Sequence, residues 1–425
     1  MHCSWLLKYK EVIKMPDNIK ILEGGVTAPK GFQAASAAAG IKYKGRTDMA
    51  LIYSDEPCVT AGVYTTNVVK AAPVLWDKAV TDSDKKVRAV VVNSGIANAC
   101  TGKQGLDICR ITEQAVTDIT GDSSESVLVG STGVIGMKID PEKITAGVKD
   151  LMSKKAYGKE SGTEASKAIM TTDTVNKEIA VSFEIGGKTV TVGAMSKGSG
   201  MIHPNMCTML GYVTTDAAIE KKLLQEALSD VVKDTFNMIT VDGDTSTNDT
   251  LLVLANGLAG NPEINSKDEN YKLFRDALYC VCEYLAKRMA GDGEGATALF
   301  EAKIINAKSK EDAKIMARSV VGSNLSKAAI YGHDANFGRF LCAMGYSGAQ
   351  FDQNDVQLWF ESAAGKMLVF DKGDPVPFEE DEATKILSEK AVTILINMNE
   401  GTESATAWGC DLTYDYVKIN ADYRS

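Results

Sequence analysis

Short runs of β-branched and apolar residues, bounded by Gly, Asp, Asn and Ser, dominate the first half of the chain. TDMALIYSD (47–55), CVTAGVYTT (58–66) and VRAVVVNSG (87–95) read as strands. Helical periodicity is interleaved with them. Across 104–121, Leu106, Ile108, Ile111, Ala115 and Ile119 share one apolar face, and Gly121 ends the run. Residues 140–157 and 159–169 also read as helix. EIAVSFEIGGKTVTVGAMSKGSG (178–200) predicts a hairpin that turns at Gly186 and Gly187. MLGYVTTD (209–216) is an apolar strand, and Asp216 is placed to cap a helix over 217–237. A buried strand at 251–257 and a long helix at 268–291 follow. The chain then alternates through EAKIINAK (301–308), a helix at 309–320, strands across 356–370 and a helix near 380–390. It closes with AVTILINMN (391–399) and YDYVKIN (414–420). No regular βαβ rhythm or internal repeat appears, so the pattern predicts α+β layers rather than a doubly wound sheet.

Composition narrows the class. At 425 residues the chain is long enough for roughly two or three domains. With 44% hydrophobic and 24% charged residues it has a globular composition and not that of a disordered chain. The net charge of −10 comes without any basic stripe, which argues against a nucleic-acid partner. No apolar run reaches the ~18 residues of a membrane helix. The nine cysteines (Cys3, Cys58, Cys100, Cys109, Cys207, Cys280, Cys282, Cys342 and Cys410) include no C-x-x-C pair. They fit neither a zinc site nor a secreted disulfide framework, and a cytoplasmic location with reduced thiols is the simplest reading. Residues 1–18 read as a disordered extension whose apolar core, cut by Lys8, Lys10 and Glu11, is too short for a signal peptide, with Met15 a candidate natural start.

Histidine, the commonest general base, is scarce: only His2, His203 and His333 occur. No G-x-S-x-G elbow accompanies them, and a histidine-based metal site has nothing to build from, so no metal or cofactor is expected. GSTGVIG (130–136) lacks the P-loop pattern. It reads either as a structural turn or as a nest of N–H groups aimed at a developing negative charge. VDGDTSTNDT (241–250) imitates the start of a calcium loop, but it has no glycine at the sixth place and Val253 stands where a bidentate Glu belongs. Polar turn capping is the better reading there. In GDGEGAT (291–297), Glu294 is either a solvated turn residue or an acceptor for a substrate ammonium group. Thr208, in SKGSGMIHPNMCTML (196–210), is on its own terms an ordinary β-branched residue starting a strand.

That last stretch, however, resembles the self-cleavage segment of the glutamate N-acetyltransferase family, also called ornithine acetyltransferase. The family pattern KGSGMI-x-PNMATML is met here as KGSGMIHPNMCTML (197–210). GVTAPKGF (25–32), NACTG (98–102), GSTGVIG, IMTTDT (169–174), TVDGDTSTND (240–249), GDGEGAT and TAWGCDLTYDYVKINADYRS (406–425) match in order. The resemblance covers residues 19–425. Cys207 replaces the family's usual alanine before the nucleophile, and GHDANFGRF (332–340) differs at Ala335 and Phe337.

The resemblance implies a precursor that cuts itself between Cys207 and Thr208 into an α chain (1–207) and a β chain (208–425). Thr208 would then be an N-terminal nucleophile whose own α-amine acts as base, which explains how so few histidines suffice. It also implies ping-pong transfer of acetyl from N-acetyl-L-ornithine to L-glutamate in arginine biosynthesis, with acetyl-CoA a further donor in the bifunctional members. Thr132 and Gly133 would form the oxyanion hole. Thr171 (with Thr172 an alternative), Lys197, Thr208, Glu294, Asn420 and Ser425 would contact substrate. The implied fold is an α/β/β/α sandwich (19–290) with a smaller C-terminal α/β domain (291–425), assembled as an α2β2 heterotetramer. The alternative of another reaction class is an N-terminal-nucleophile amidase or aminopeptidase, in which water takes the acyl group.

Overall fold

A computed structural model describes residues 15–203 and 209–422. Among the described residues, nine strands form one sheet, eight of them on a single hydrogen-bonded path with Phe32–Ala37 as a side branch, and six form a second sheet. The nine-stranded sheet is folded into two facing layers by one long strand, Met49–Tyr64. Its first part pairs with Phe32–Ala37 and Val87–Asn93, and its second part, Val59 to Tyr64, pairs with Thr250–Ala255. The sequence predicted two strands here, and the structure has one. Pro57 does not interrupt it, because it sits in the irregularity between Tyr53 and Cys58 where the ladder with Val87–Asn93 shifts register. A missing N–H costs little at such a place.

Alternation along the strands assigns every apolar side chain to a layer. Ala50, Ile52, Val90, Val92 and Leu128 face Met195, Leu210, Tyr212, Leu252 and Leu254 between the two sheets. Their sequence neighbours Met49, Leu51, Ala89, Val91 and Val127 point the other way, onto the helices Lys103–Thr120 and Pro141–Lys154. On the opposite outer face, Val181, Val192, Val213, Leu251 and Val253 meet the helices Lys221–Asp234 and Glu269–Gly291. The order is therefore helix, sheet, sheet, helix: an α/β/β/α sandwich.

The predicted hairpin is present as Lys177–Ile185 paired with Lys188–Lys197. Lys188–Lys197 then pairs antiparallel with Leu210–Thr215, placing Lys197 opposite Leu210. Asp140, Asp268 and Ser309 cap their helices by accepting backbone N–H groups, in accord with the predicted starts. Asp216 does not. The helix after it begins at Lys221, and the Asp216 carboxylate accepts the N–H groups of Thr191 at 2.7 Å and Lys30 at 3.1 Å.

In the second sheet Leu299–Ala307 runs parallel to Ala391–Asn397 and antiparallel to the edge strand Glu403–Cys410. Phe340 packs edge-on against Phe300 and Phe360, with ring centroids 6.0 and 5.9 Å apart. The hydrophobic cluster of the outer helices continues into this sheet through Met238, Ile239 and Trp408. The helix Tyr414–Ala421 lies beyond it and buries none of its own residues. No described helix is long and apolar enough to cross a membrane.

Candidate active site

A cavity of about 390 Å³ opens where the ends of Val127–Ser131 and Lys188–Lys197 meet the starts of Leu210–Thr215 and Thr250–Ala255. Thr132, Gly133, Thr171, Thr172, Lys197, Glu294 and Asn420 all line it, as do Met209 and Leu210. Seven positions spread from residue 132 to residue 420 thus converge on one space. Thr208, Cys207 and Ser425 lie outside the described residues. Met209, which follows Thr208 in the chain, is on the cavity wall.

One corner is built from the turn after the strand Val127–Ser131. The Thr132 N–H donates to the Asn93 carbonyl at 3.0 Å, which leaves the hydroxyl as that residue's remaining donor. Gly133 has φ 127°, and a Cβ there would fall 2.3 Å from the Gly95 carbonyl carbon. Only glycine fits, and its N–H has no backbone acceptor among the described residues. Buried hydrogen bonds fix the turn from both sides. The Ser131 hydroxyl donates to Asn93 at 2.7 Å, and Asn248 Nδ2 donates to the carbonyls of Ala97 and Ser131 at 2.6 and 2.8 Å. A hydroxyl and an amide presented side by side suit an oxyanion.

A second wall carries positive charge. Lys197 is only 7% exposed, and its Nζ lies 3.8 Å from Asp173. Behind it, Lys177 is fully buried and bridges Asp173 at 2.8 Å and Asp292 at 2.6 Å. Burial pushes the Lys197 ammonium below the usual lysine range. Asp173 and Glu294 oppose that shift, and Lys177 adds to it. Burial works to raise the Asp173 carboxyl, but Lys177 and Lys197 outweigh it and hold it well below the usual carboxylate range.

Glu294 faces this cation from the loop after Glu269–Gly291. It is 5% exposed, and its Oε2 accepts from Asn420 Nδ2 at 2.7 Å. The helix bearing Asn420 comes close because Gly295, at φ 71°, has no side chain: a Cβ there would meet the Tyr416 amide nitrogen at 2.8 Å. Glu294 is therefore not a solvated turn residue: it is buried and accepts a hydrogen bond from Asn420.

Comparison with known proteins shows the family. The sequence pattern of the ArgJ family matches residues 33–425. The chain belongs to the ArgJ family. The arginine biosynthesis bifunctional protein ArgJ of Symbiobacterium thermophilum is 53% identical over 406 residues, covering 95% of this chain and 99% of that protein. The ArgJ of Bacillus subtilis is 48% identical over 412 residues, covering 96% and 98% respectively. A crystal structure of ArgJ from Bacillus halodurans is 46% identical and covers 50% of this chain and 98% of that one, with a TM-score of 0.48. As an ArgJ-family member the protein is an enzyme, an acyltransferase of arginine biosynthesis.

Other residues take clear places in the ArgJ-family chain. His203 does not line the cavity. Its Nδ1 is 3.0 Å from the Thr240 hydroxyl and its Nε2 is 3.2 Å from Arg318, in a separate cleft. Burial, with Arg318 beside it, pushes its pKa down. His333 caps the C-terminus of Asn324–Gly332 with φ 52°. Asp242, in the calcium-like stretch, accepts the N–H groups of Met201 at 2.6 Å and Ile202 at 2.8 Å, which is backbone capping. Sequence reasoning passed over Asn248, which lines the cavity, and the buried group Asp173, Lys177 and Asp292, which backs it through the contacts of Asp173 with Thr171 and Lys197. Three of them sit inside matched blocks (IMTTDT, GDGEGAT and TVDGDTSTND), and that was the available signal.

Proposed function

We propose that this enzyme matures by self-cleavage between Cys207 and Thr208 and then transfers acetyl from N-acetyl-L-ornithine to L-glutamate. The observation that carries the reading is the cavity itself. It gathers a hydroxyl–amide pair, a buried cation and a buried carboxylate around the wall that begins at Met209. In maturation the Thr208 hydroxyl attacks the Cys207 carbonyl, and the peptide becomes an ester. Water opens the ester, leaving a Cys207 carboxylate and a Thr208 amine beside its own hydroxyl. Such an amine, with a reference pKa of about 7.7–8.0, is partly neutral near pH 7 and serves as base.

In turnover the Thr208 oxygen attacks the acetamide carbonyl. Its proton passes through the α-amine to the departing ornithine nitrogen, and acetyl-Thr208 remains. The neutral amine of glutamate then attacks the ester, and a proton returns to the Thr208 oxygen. The Thr132 hydroxyl and Gly133 N–H hold the oxyanion of both tetrahedral species. Lys197 pairs with the α-carboxylate shared by both amino acids, and Glu294, aligned by Asn420, receives the ornithine side-chain ammonium. Thr171 and Ser425 complete the contacts. The relatives are named as bifunctional, which supports acetyl-CoA as a second donor. An α2β2 assembly in the cytoplasm is part of the same reading.

Two measurements test it. Intact mass of purified active enzyme should show two chains that meet at 207/208. Incubation with N-acetyl-L-ornithine should release ornithine in step with N-acetylglutamate when glutamate is present. Acetate release independent of glutamate would instead make the enzyme an amidase.

A further inference from the structure

We propose that the buried cluster Asp173–Lys177–Asp292 fixes the separation between Lys197 and Glu294, and so selects substrates by chain length. The inference rests on the roles given above to Lys197 and Glu294. None of the three lines the cavity, so they are positioning residues rather than catalytic ones.

Asp173 gathers one side of the site. Its Oδ1 accepts from Lys177 Nζ at 2.8 Å and from the Gly198 N–H at 2.7 Å, and its Oδ2 accepts from the Thr171 N–H at 3.1 Å. That same Oδ2 lies 3.8 Å from Lys197 Nζ. Asp292 gathers the other side. It accepts from Lys177 at 2.6 Å and from the Thr174 N–H at 3.1 Å, with the Thr174 hydroxyl also bonded to it. A second tie runs in parallel: the Ser199 hydroxyl donates to the Asp292 carbonyl at 2.7 Å, and the Glu294 N–H donates to the Ser199 carbonyl at 3.0 Å.

Lys177 is the link between the two sides. An ammonium has three donors, and here they reach Asp173, Asp292 and the Val175 carbonyl at 3.3 Å. With its donors occupied and its side chain fully buried, it has no second arrangement that avoids leaving a buried charge unpaired. The strand end holding Lys197 and the loop holding Glu294 are therefore set at one spacing. A substrate that places its carboxylate on one and its ammonium on the other must have a matching number of methylenes.

The test compares kcat/KM for N-acetyl-L-ornithine with its homologues one methylene shorter and longer. A site that measures length discriminates by about 10–200-fold per methylene. The paired substitution Lys177→Met with Asp292→Asn removes one positive and one negative charge and leaves Asp173 with Lys197. It should cut that discrimination about tenfold while kcat on the best substrate changes much less. Unchanged discrimination in folded double variant overturns the proposal. If that protein does not fold, Lys177→Arg reads the same ratio, because a bulkier cation resets the spacing; an unaltered ratio there overturns it as well. Should the wild-type enzyme turn over none of the three compounds, the substrate reading is what falls. The brace is then read by hydrogen exchange: the Gly198 and Glu294 amides should both exchange faster in the double variant, and unchanged exchange overturns it.

Discussion

Asn420 Nδ2 lies 2.7 Å from Glu294 Oε2, across 126 positions of the chain. The donor sits on a helix with no buried residue, so this bond is one of the few things orienting that helix on the site. Asn420→Ala should leave Glu294 in place without its aligning donor. A loss of one hydrogen bond to a charged group, about 1.5–3 kcal/mol, corresponds to a fall of roughly 10–150-fold in kcat/KM for acetylornithine. Stopped-time assays at several substrate concentrations check it. The KM should carry most of the change, because the contact holds ground state and transition state alike.

Because the Thr132 N–H is already taken by Asn93, Thr132→Val removes the donor proposed for the oxyanion while keeping shape and backbone. A fall in kcat of about 10²–10³-fold with little change in KM is expected. A kcat close to wild type would move the oxyanion site elsewhere. Gly133→Ala should do worse and for a different reason, since a methyl group collides with Gly95.

Alkaline pH should weaken substrate binding earlier than an ordinary lysine would. Burial lowers the folded-state pKa of Lys197, with Lys177 pushing the same way and Asp173 and Glu294 opposing. Below that lowered value the ammonium is charged and holds a carboxylate. As pH rises through it, the charge and the contact are lost. The KM for glutamate should rise with pH on the alkaline side, starting below the usual lysine range. Lys197→Arg should remove that rise, although the larger guanidinium will raise KM at every pH.

Asp77 offers a stability test remote from the site. It is fully buried, its Oδ1 accepts the Val129 N–H at 2.7 Å, and burial raises its pKa well above the ordinary aspartate value. The folded state therefore binds this proton more tightly than the unfolded chain does. Stability falls as pH climbs from the ordinary value toward the raised one, and it stays reduced above that. Asp77→Asn keeps an acceptor for Val129 and should raise the unfolding free energy near neutrality by on the order of 1 kcal/mol. The gain should shrink near pH 4. Urea melts at the two pH values check the sign.

The pattern of strands and helices gave α+β layers, and the sandwich itself came through the family resemblance. The predicted helix starts at 140, 268 and 309 coincide with Asp140, Asp268 and Ser309, whose side chains cap locally. Asp216 looked the same in sequence, but its carboxylate was claimed by Thr191 and Lys30, partners far away in the chain. The helix Ala72–Asp82 was missed because its N-cap residue, Ala71, makes no side-chain bond; the proline in its first turn was the available signal. The strand Phe32–Ala37 is alanine-rich and lacks a β-branched signature. At the site, the lining residues were reached through matched blocks. Lys177 was not, since a lysine opening a strand reads as solvated until two distant aspartates are brought against it.

The pairing of Lys188–Lys197 with Leu210–Thr215 bears on what a broken backbone would mean here. Residues on either side of the 204–208 segment are already zipped together, and Leu210–Thr215 is gripped on its far edge by Thr250–Ala255. Severing the connection between them would therefore free a new chain end without loosening either piece. The architecture is indifferent to whether it is made of one polypeptide or two.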